Sequence, residues 1–169
     1  GKPVSPAAAA AAEEAGAVAI TVHGRTREQY YSGEVDLIGI RETKLAVSIP
    51  VFANGDITDK ASLERALEIT GADGAAIARA AIGRPYIFSE LNGVGVEVDP
   101  GALIKEHLGM LLTIYPERVA VDMMKKHVAA YAKGVRGGKT VKLKAFSAHN
   151  AGDIYSAADM LTAASGFEQ

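Results

Sequence analysis

Residues 49–78 read IPVFANGDITDKASLERALEITGADGAAIA. The apolar run Ile49–Ala53, with Pro50 near its start, gives way to a polar turn, Asn54-Gly55-Asp56. A helix capped by Thr58 or Asp59 follows, with Leu63, Ala66, Leu67 and Ile69 on one face. Gly71-Ala72-Asp73 stops it, and Gly74–Ala78 is apolar again. Two short apolar runs joined by an amphipathic helix make a βαβ unit, and its strands are therefore parallel.

The same alternation extends toward the N-terminus. Asp36–Val47 places Leu37, Ile40, Lys44 and Leu45 at helical spacing, and before it Ala17–Val22 is an apolar, β-branched run. Before that, Ser5-Pro6 is a helix start and Gly16 a stop. The Ala7–Ala12 run between them favours helix but buries little, so this helix is expected to pack weakly. All three strands read as buried on both faces. Repeated units of this kind build an open doubly wound sheet or a closed (β/α)8 barrel. No G-x-G-x-x-G fingerprint follows a first strand, which disfavours a dinucleotide fold. A complete barrel needs about 250 residues, against 169 in this chain. The expectation is an α/β chain: a partial (β/α)8 TIM barrel comprising its last three βα units, followed by a small C-terminal helical domain. The first residue, Gly1 rather than Met, fits a piece of something longer.

After Asn92 the character changes, and a division into residues 1–91 and 92–169 is expected. Asn92–Pro100 reads as a linker. Ala102–Tyr115 is an amphipathic helix with Leu103, Ile104, His107, Leu108, Leu111, Leu112 and Tyr115 on its apolar side, broken by Pro116. Val119–Lys133 is a second, with Met123, Met124, His127, Val128 and Tyr131 as its stripe, and Gly134 ends it. Asp153–Ala164 reads as a last short helix.

Composition excludes several function classes. The chain has 18 Lys and Arg against 20 Asp and Glu, is 49% hydrophobic, and contains no cysteine. Disulfides, thiolate metal sites and a cysteine nucleophile or acid are thereby absent. The four histidines form no metal-ligand spacing, so no metal is expected. No stretch reaches the roughly 18 uninterrupted apolar residues of a membrane span, and no secretion signal is evident. The expectation is a soluble cytoplasmic protein. The net charge of −2 conceals a polarised distribution: Lys125–Lys144 holds seven Lys and Arg and no acid. Such a block is either a solvated surface or a contact for nucleic-acid phosphates.

In parallel barrels and sheets, functional groups gather where strands end. His23-Gly24-Arg25-Thr26, Asn54-Gly55-Asp56 and Ala78-Arg79 occupy those positions. Glycine lets backbone amides approach a phosphate, and Arg79 adds a charged fork. Equally, NGD is a common turn, Arg79 could cap a sheet edge, and His23 could be a rim or core residue.

The runs VHGRTREQYYSGEVD (22–36), IPVFANGDITD (49–59), TGADGAAIARAAIGRPYIF (70–88) and MMKKHVAAYAKG (123–134) together resemble the tRNA-dihydrouridine synthases, especially the bacterial B type. The likeness covers about residues 13–139, with the motifs in the family's order and spacing. It implies a flavin-binding barrel with a helical RNA-binding domain, reducing uridine in tRNA with FMN that NADPH has reduced. It implies FMN contacts at His23, Asn54, Gly55, Asp56, Ala78 and Arg79, with Lys126 and His127 facing tRNA and the basic Lys125 and Lys133 beside them. The family's acid is a cysteine in the earlier half of the barrel, so no residue of this chain is assigned as catalytic and the chain alone is expected to be inactive. Position 78, usually Gly in the family, is Ala; if it required positive φ, its methyl would strain the backbone. Two other readings remain: a non-enzymatic RNA-binding module, and another phosphate-binding barrel enzyme such as a sugar-phosphate isomerase or a dihydroorotate-type flavoenzyme. A half barrel also exposes strand edges, so self-association or a partner supplying the missing half is expected.

Overall fold

The computed structural model describes residues 6–30 and 32–166. The elements run α1 (Pro6–Glu14), β1 (Ile20–His23), α2 (Leu37–Leu45), β2 (Val51–Asn54), α3 (Lys60–Thr70), β3 (Gly74–Ala76), a 3₁₀ turn (Arg79–Ala81), α4 (Ile87–Leu91), α5 (Pro100–Leu112), α6 (Glu117–Tyr131), α7 (Gly138–Phe146) and α8 (Ala151–Ser165). They form two compact units. The first is the chain up to Ala80 with Ile87–Val94; the second is Ala81–Tyr86 with the chain from Gly95 onward.

The first unit holds an all-parallel sheet in the order β1-β2-β3. Ile20 pairs with Val51 and His23 with Asn54, while Phe52 pairs with Gly74 and Asn54 with Ala76. The ladder begins at Val51 because Pro50 has no N–H to donate; its carbonyl instead accepts from Ile20 N at 2.9 Å. Alternation sends Val22, Val51 and Ala53 to one face, where they pack with Ile40 of α2. On the other face His23, Asn54 and Ala76 form one row and Thr21, Phe52 and Gly74 another, and none of these six is buried.

The strands are thus buried on the helix side only, not on both faces. The apolar runs also start later than their composition suggests, since Ala17–Ala19 lie outside the β1 ladder. In α2 the inward positions are Ile40 and Thr43, whose Oγ1 donates to Gly39 O at 2.9 Å, while Leu45 is 76% exposed. A threonine that satisfies its own hydroxyl can face a core, so a stripe counted in apolar residues alone misplaces the helix by one position. Only Ala9 of α1 is buried. Glu13 anchors this helix by accepting from Ser48 N, Ile49 N and the Ser48 hydroxyl. The capping role expected of Ser5 lies outside the described residues.

Asp59, not Thr58, caps α3, its Oδ1 accepting from Ser62 N at 2.8 Å, and Gly71 closes the helix at φ 63. Past the helix, Asp73 Oδ2 accepts from both Lys44 Nζ and Val51 N at 2.7 Å, joining the start of β2 to α2.

The second unit packs α5 to α8 around Ile104, Leu108, Met124, Val128, Val141, Ile154 and Leu161, all nearly inaccessible to solvent. α5 begins earlier than periodicity indicates because Asp99 caps it and Pro100 sits in its first turn. Tyr115 and Met123, placed on apolar stripes by spacing, are exposed. α7 has no counterpart in the sequence pattern, because its buried positions are Gly138, Val141 and Ala145, too small to read as a stripe among lysines. α4 has none either.

α5 packs closely against α8 at Gly101. A Cβ there would meet Thr162 Oγ1 at 2.1 Å and Ala158 O at 2.3 Å. Gly109, on the same helix, has nothing among the described residues within 4 Å of its Cβ position. Gly101→Ala is therefore expected to destabilise the second unit by about 1–3 kcal/mol through overpacking. Gly109→Ala is expected to stabilise it by about 0.5–1 kcal/mol through helix propensity. Urea unfolding of the two variants beside the parent checks both signs.

Candidate functional site

The strand ends of the first unit carry the chemistry. His23 closes β1, and its Nδ1 lies 3.1 Å from Asn54 O. A carbonyl can only accept, so Nδ1 carries the proton in this contact. Asn54 closes β2, and its Nδ2 donates to Ala76 O at 2.7 Å. Side-chain and carbonyl bonds thus link the ends of all three strands.

Beyond them the chain turns through Gly55 at φ 142 and Asp56 at φ 48. The first is open to glycine alone, and the second is a left-handed conformation that Asp tolerates better than most residues. A Cβ on Gly55 would meet Val35 Cγ1 at 2.8 Å, and one on Gly24 would meet the same atom at 2.3 Å. Val35 therefore sits where two glycines, one after each strand, leave room for it. The carbonyl of Gly24 accepts from Asp36 N at 2.7 Å, and Gly24 N donates to Asn54 O at 3.0 Å, which fixes the turn after β1 against that after β2.

Asp56 is the hub. Its Oδ1 accepts from Arg79 Nη2 at 2.6 Å and its Oδ2 from Arg25 Nη2 at 2.5 Å. The Arg25 side chain is 3% exposed, whereas Asp56 and Arg79 are 45% and 52% exposed. Arg25 Nη2 also donates to Gly33 O at 2.6 Å. The hydrogen bond from Arg25 is the main cause holding the Asp56 carboxyl below its usual range, with the charges of Arg25 and Arg79 adding to it. Arg79 opens the 3₁₀ turn directly after Ala78. Ala78 is not among the described residues at positive φ, so its methyl imposes no backbone strain. A cavity of about 240 Å³ lies beside β1, lined in part by Val22, His23, Arg25, Thr26 and Ile40.

All six residues expected at the cofactor thus lie at or just beyond the ends of β1, β2 and β3, and four of them, His23, Asn54, Asp56 and Arg79, are joined by strand pairing or hydrogen bonds to a neighbouring strand end. The sequence pattern marks Arg25 only as part of a strand-end segment, because nothing local reveals that its side chain turns inward to meet Asp56.

In the second unit, Lys125, Lys126 and His127 are on α6 and Lys133 lies just past its end. Lys126 and Lys133 are exposed, but Lys125 Nζ is bonded to Asp122 Oδ1 at 2.8 Å, an acid just outside the basic block. His127 is half-buried, its ring 4.6 Å from that of His107, whose Nδ1 is 3.4 Å from the Tyr131 hydroxyl. Burial, and then the neighbouring His127, hold His107 below the usual histidine range. α7 carries the exposed Lys139 and the partly exposed Lys142, with Leu143 and Phe146 also exposed. Among the described residues no cluster could hold a metal ion, and no helix is long and apolar enough to cross a membrane.

Comparison with known proteins decides what this arrangement belongs to. The family model described as dihydrouridine synthase matches residues 5–165. The chain belongs to the dihydrouridine synthase family. It is 42% identical over 142 residues to the tRNA-dihydrouridine synthase B of Pseudomonas putida, covering 79% of this chain and 42% of that protein. Against the Pseudomonas aeruginosa protein of the same name the identity is 41% over 137 residues, 76% of this chain and 41% of the relative. The probable tRNA-dihydrouridine synthase of Rickettsia conorii is 38% identical over 143 residues, 78% and 42% of the two chains. The chain therefore spans about two-fifths of the length of the curated relatives it matches.

The arginine pair on Asp56 has a measurable signature. A carboxylate with a lowered folded pKa contributes stability above its unfolded value, here near 3.8, and loses it as pH falls through the folded value. Thermal melts between about pH 2 and pH 5 are expected to show a steeper acid decline for the parent than for Asp56→Asn, whose amide does not titrate there.

Proposed function

We propose that this chain is the FMN-phosphate- and tRNA-binding portion of an enzyme that reduces uridine to dihydrouridine in tRNA, with NADPH as the reductant of the flavin. Residues 1–91 take the part of the last three βα units of a (β/α)8 barrel, and residues 92–169 that of a small helical RNA-binding domain, in a cytoplasmic protein. The observation that carries the reading is the row of His23, Asn54 and Ala76 at the strand ends, with Asp56 and Arg79 just beyond it. Family membership supplies the reaction class.

The residues suit an anionic, planar cofactor. Gly55, whose Cβ would strike Val35, lets the turn after β2 close tightly beside the strand ends, and Arg79 is a half-exposed cation opening the 3₁₀ turn. A phosphate monoester would be held by Arg79 and by the backbone of the Asn54–Asp56 and Ala78–Arg79 segments. His23, its Nδ1 committed to Asn54 O, would present Nε2 toward the flavin or the uracil. When bound, the flavin supplies the hydride for reduction of the uracil ring. The ring must also be protonated at the neighbouring carbon, and the chain contains no cysteine to serve as that acid. The exposed Lys126 and Lys133, with Lys125 and His127 beside them, would hold tRNA while its base is turned out of the stack. The missing acid and β1's position at the sheet edge both fit a chain that works with a complementary barrel half, or associates with itself.

Incubating the purified chain with FMN, NADPH and unmodified tRNA tests the proposal. Flavin fluorescence is expected to report FMN binding, and tRNA affinity is expected to fall steeply between about 50 and 200 mM salt. Neutralising Lys125, Lys126 and Lys133 together is expected to weaken tRNA binding by about tenfold or more. No dihydrouridine is expected, because a missing general acid removes about 10²–10⁴ in rate. Dihydrouridine formed by the chain alone would overturn the assigned lack of a catalytic acid, and failure to bind FMN would overturn the flavin assignment. tRNA binding without FMN binding would favour the RNA-binding module instead.

A further inference from the structure

Arg25 is buried where a cation is expensive. Its side chain is 3% exposed, yet among the described residues only Nη2 is bonded, to Asp56 Oδ2 and Gly33 O, while Nε and Nη1 are buried with no hydrogen-bond partner there. Burying an incompletely satisfied guanidinium costs free energy that a mere brace between two loops need not incur. A glutamine amide could donate to the same carboxylate and carbonyl without any charge. The charge itself therefore calls for an explanation, and Asp56 provides one.

An exposed cation that receives a phosphate is weakened by a carboxylate 2.6 Å from its own nitrogen. Asp56 and Arg79 alone would sum to zero charge, and Asp56 would repel the incoming anion. With Arg25 on the other carboxylate oxygen, the three groups carry +1. The orienting function of Asp56, which holds Arg79 at the end of β3, is kept while its repulsion is cancelled from the protein side.

We infer that Arg25 is the positioning residue of the phosphate site: a buried counter-charge that neutralises Asp56, so that Arg79 meets a phosphate monoester as a net cation. The inference rests on the flavin reading above and adds to it a residue the ligand does not touch. Arg25 acts through Asp56 and through its own field, which its burial shields from full screening on the protein side, while Asp56 and Arg79 stand half-exposed. Because it bears on the phosphate alone, removing its charge should discriminate between FMN and riboflavin, which differ by that group.

Titrations of FMN and of riboflavin into the 169-residue chain test it, with thermal melts confirming that each variant is folded. Arg25→Gln is expected to weaken FMN binding by about tenfold or more while leaving riboflavin within about twofold of the parent. Arg25→Lys, which keeps the charge and loses the fork, is expected to retain most of the FMN affinity. Arg25→Gln combined with Asp56→Asn restores a charge of +1 at the site and is expected to regain most of what Arg25→Gln loses. Equal weakening of FMN and riboflavin, unchanged FMN binding in Arg25→Gln, or no recovery in the double variant would overturn the counter-charge role and leave the flavin reading standing. If Arg25→Gln does not fold, the preference for FMN over riboflavin in the double variant and in Arg25→Lys decides the matter: a preference near the parent's in both supports the counter-charge, and its loss in both overturns it. A parent chain that does not bind FMN at all rejects the flavin reading, and the inference with it.

Discussion

The carboxylate of Asp56 ties three strand ends into one surface. Each oxygen accepts from a different arginine, one delivered by the turn after β1 and the other by the residue that opens the turn after β3. The carboxylate itself follows β2, so the ends of all three strands converge on a single functional group. This requires the backbone to make an unusual bend, with Gly55 and Asp56 both at positive φ. The bend requires Val35 to fit against Gly24 and Gly55, and neither glycine could carry a side chain there without displacing it. The strand-end chemistry is thus a consequence of packing small residues against one valine.

A second constraint keeps the sheet face above this hub available. The helix-facing side of the strands is filled by Val22, Val51, Ala53 and Ile40. The opposite side carries Thr21, His23, Phe52 and Asn54 with Gly74 and Ala76, and the ring of Phe52 lies where a Cβ on Gly74 would have to go. Period-two alternation thereby separates the two tasks of a short strand. One face holds the fold together by excluding water, and the other presents polar groups and small residues that a planar ligand could approach. In the second unit, stability and charge are separated differently. Small residues let helices approach closely, as Gly101 does against α8, and leave the long basic side chains of α6 and α7 at the surface.

Much of this was legible in the chain's order of residues, and the gaps have physical causes. The βαβ repeat was visible because apolar runs of five or six residues alternate with helices whose stripes are clear, as in Leu63 to Ile69. Leu45, Tyr115 and Met123 were misplaced because apolar character marks a residue that can be buried, not one that is. α7 escaped because burial there is achieved with glycine, valine and alanine, which leave no periodic signature among lysines. The early start of α5 was a matter of capping by Asp99, a hydrogen bond that composition does not record. Of the strand-end residues, the NGD turn and Ala78-Arg79 stood out by position in the repeat, whereas Arg25 did not.

The chain's order of residues by itself determined that the strands are parallel, that they end in polar, glycine-bearing turns, and that basic charge gathers between Lys125 and Lys144. Those features follow from local propensity and periodicity, which neighbouring residues settle among themselves. Only the tertiary structure decided that one sheet face stays open, that Lys125 is bonded to Asp122, and that Arg25 turns inward to share Asp56 with Arg79. Arg25 and Asp56 are 31 positions apart, and Asp56 and Arg79 are 23 apart. Charges so far apart meet only when strand pairing brings their turns side by side, and no pattern along the chain specifies which cation the fold will bury.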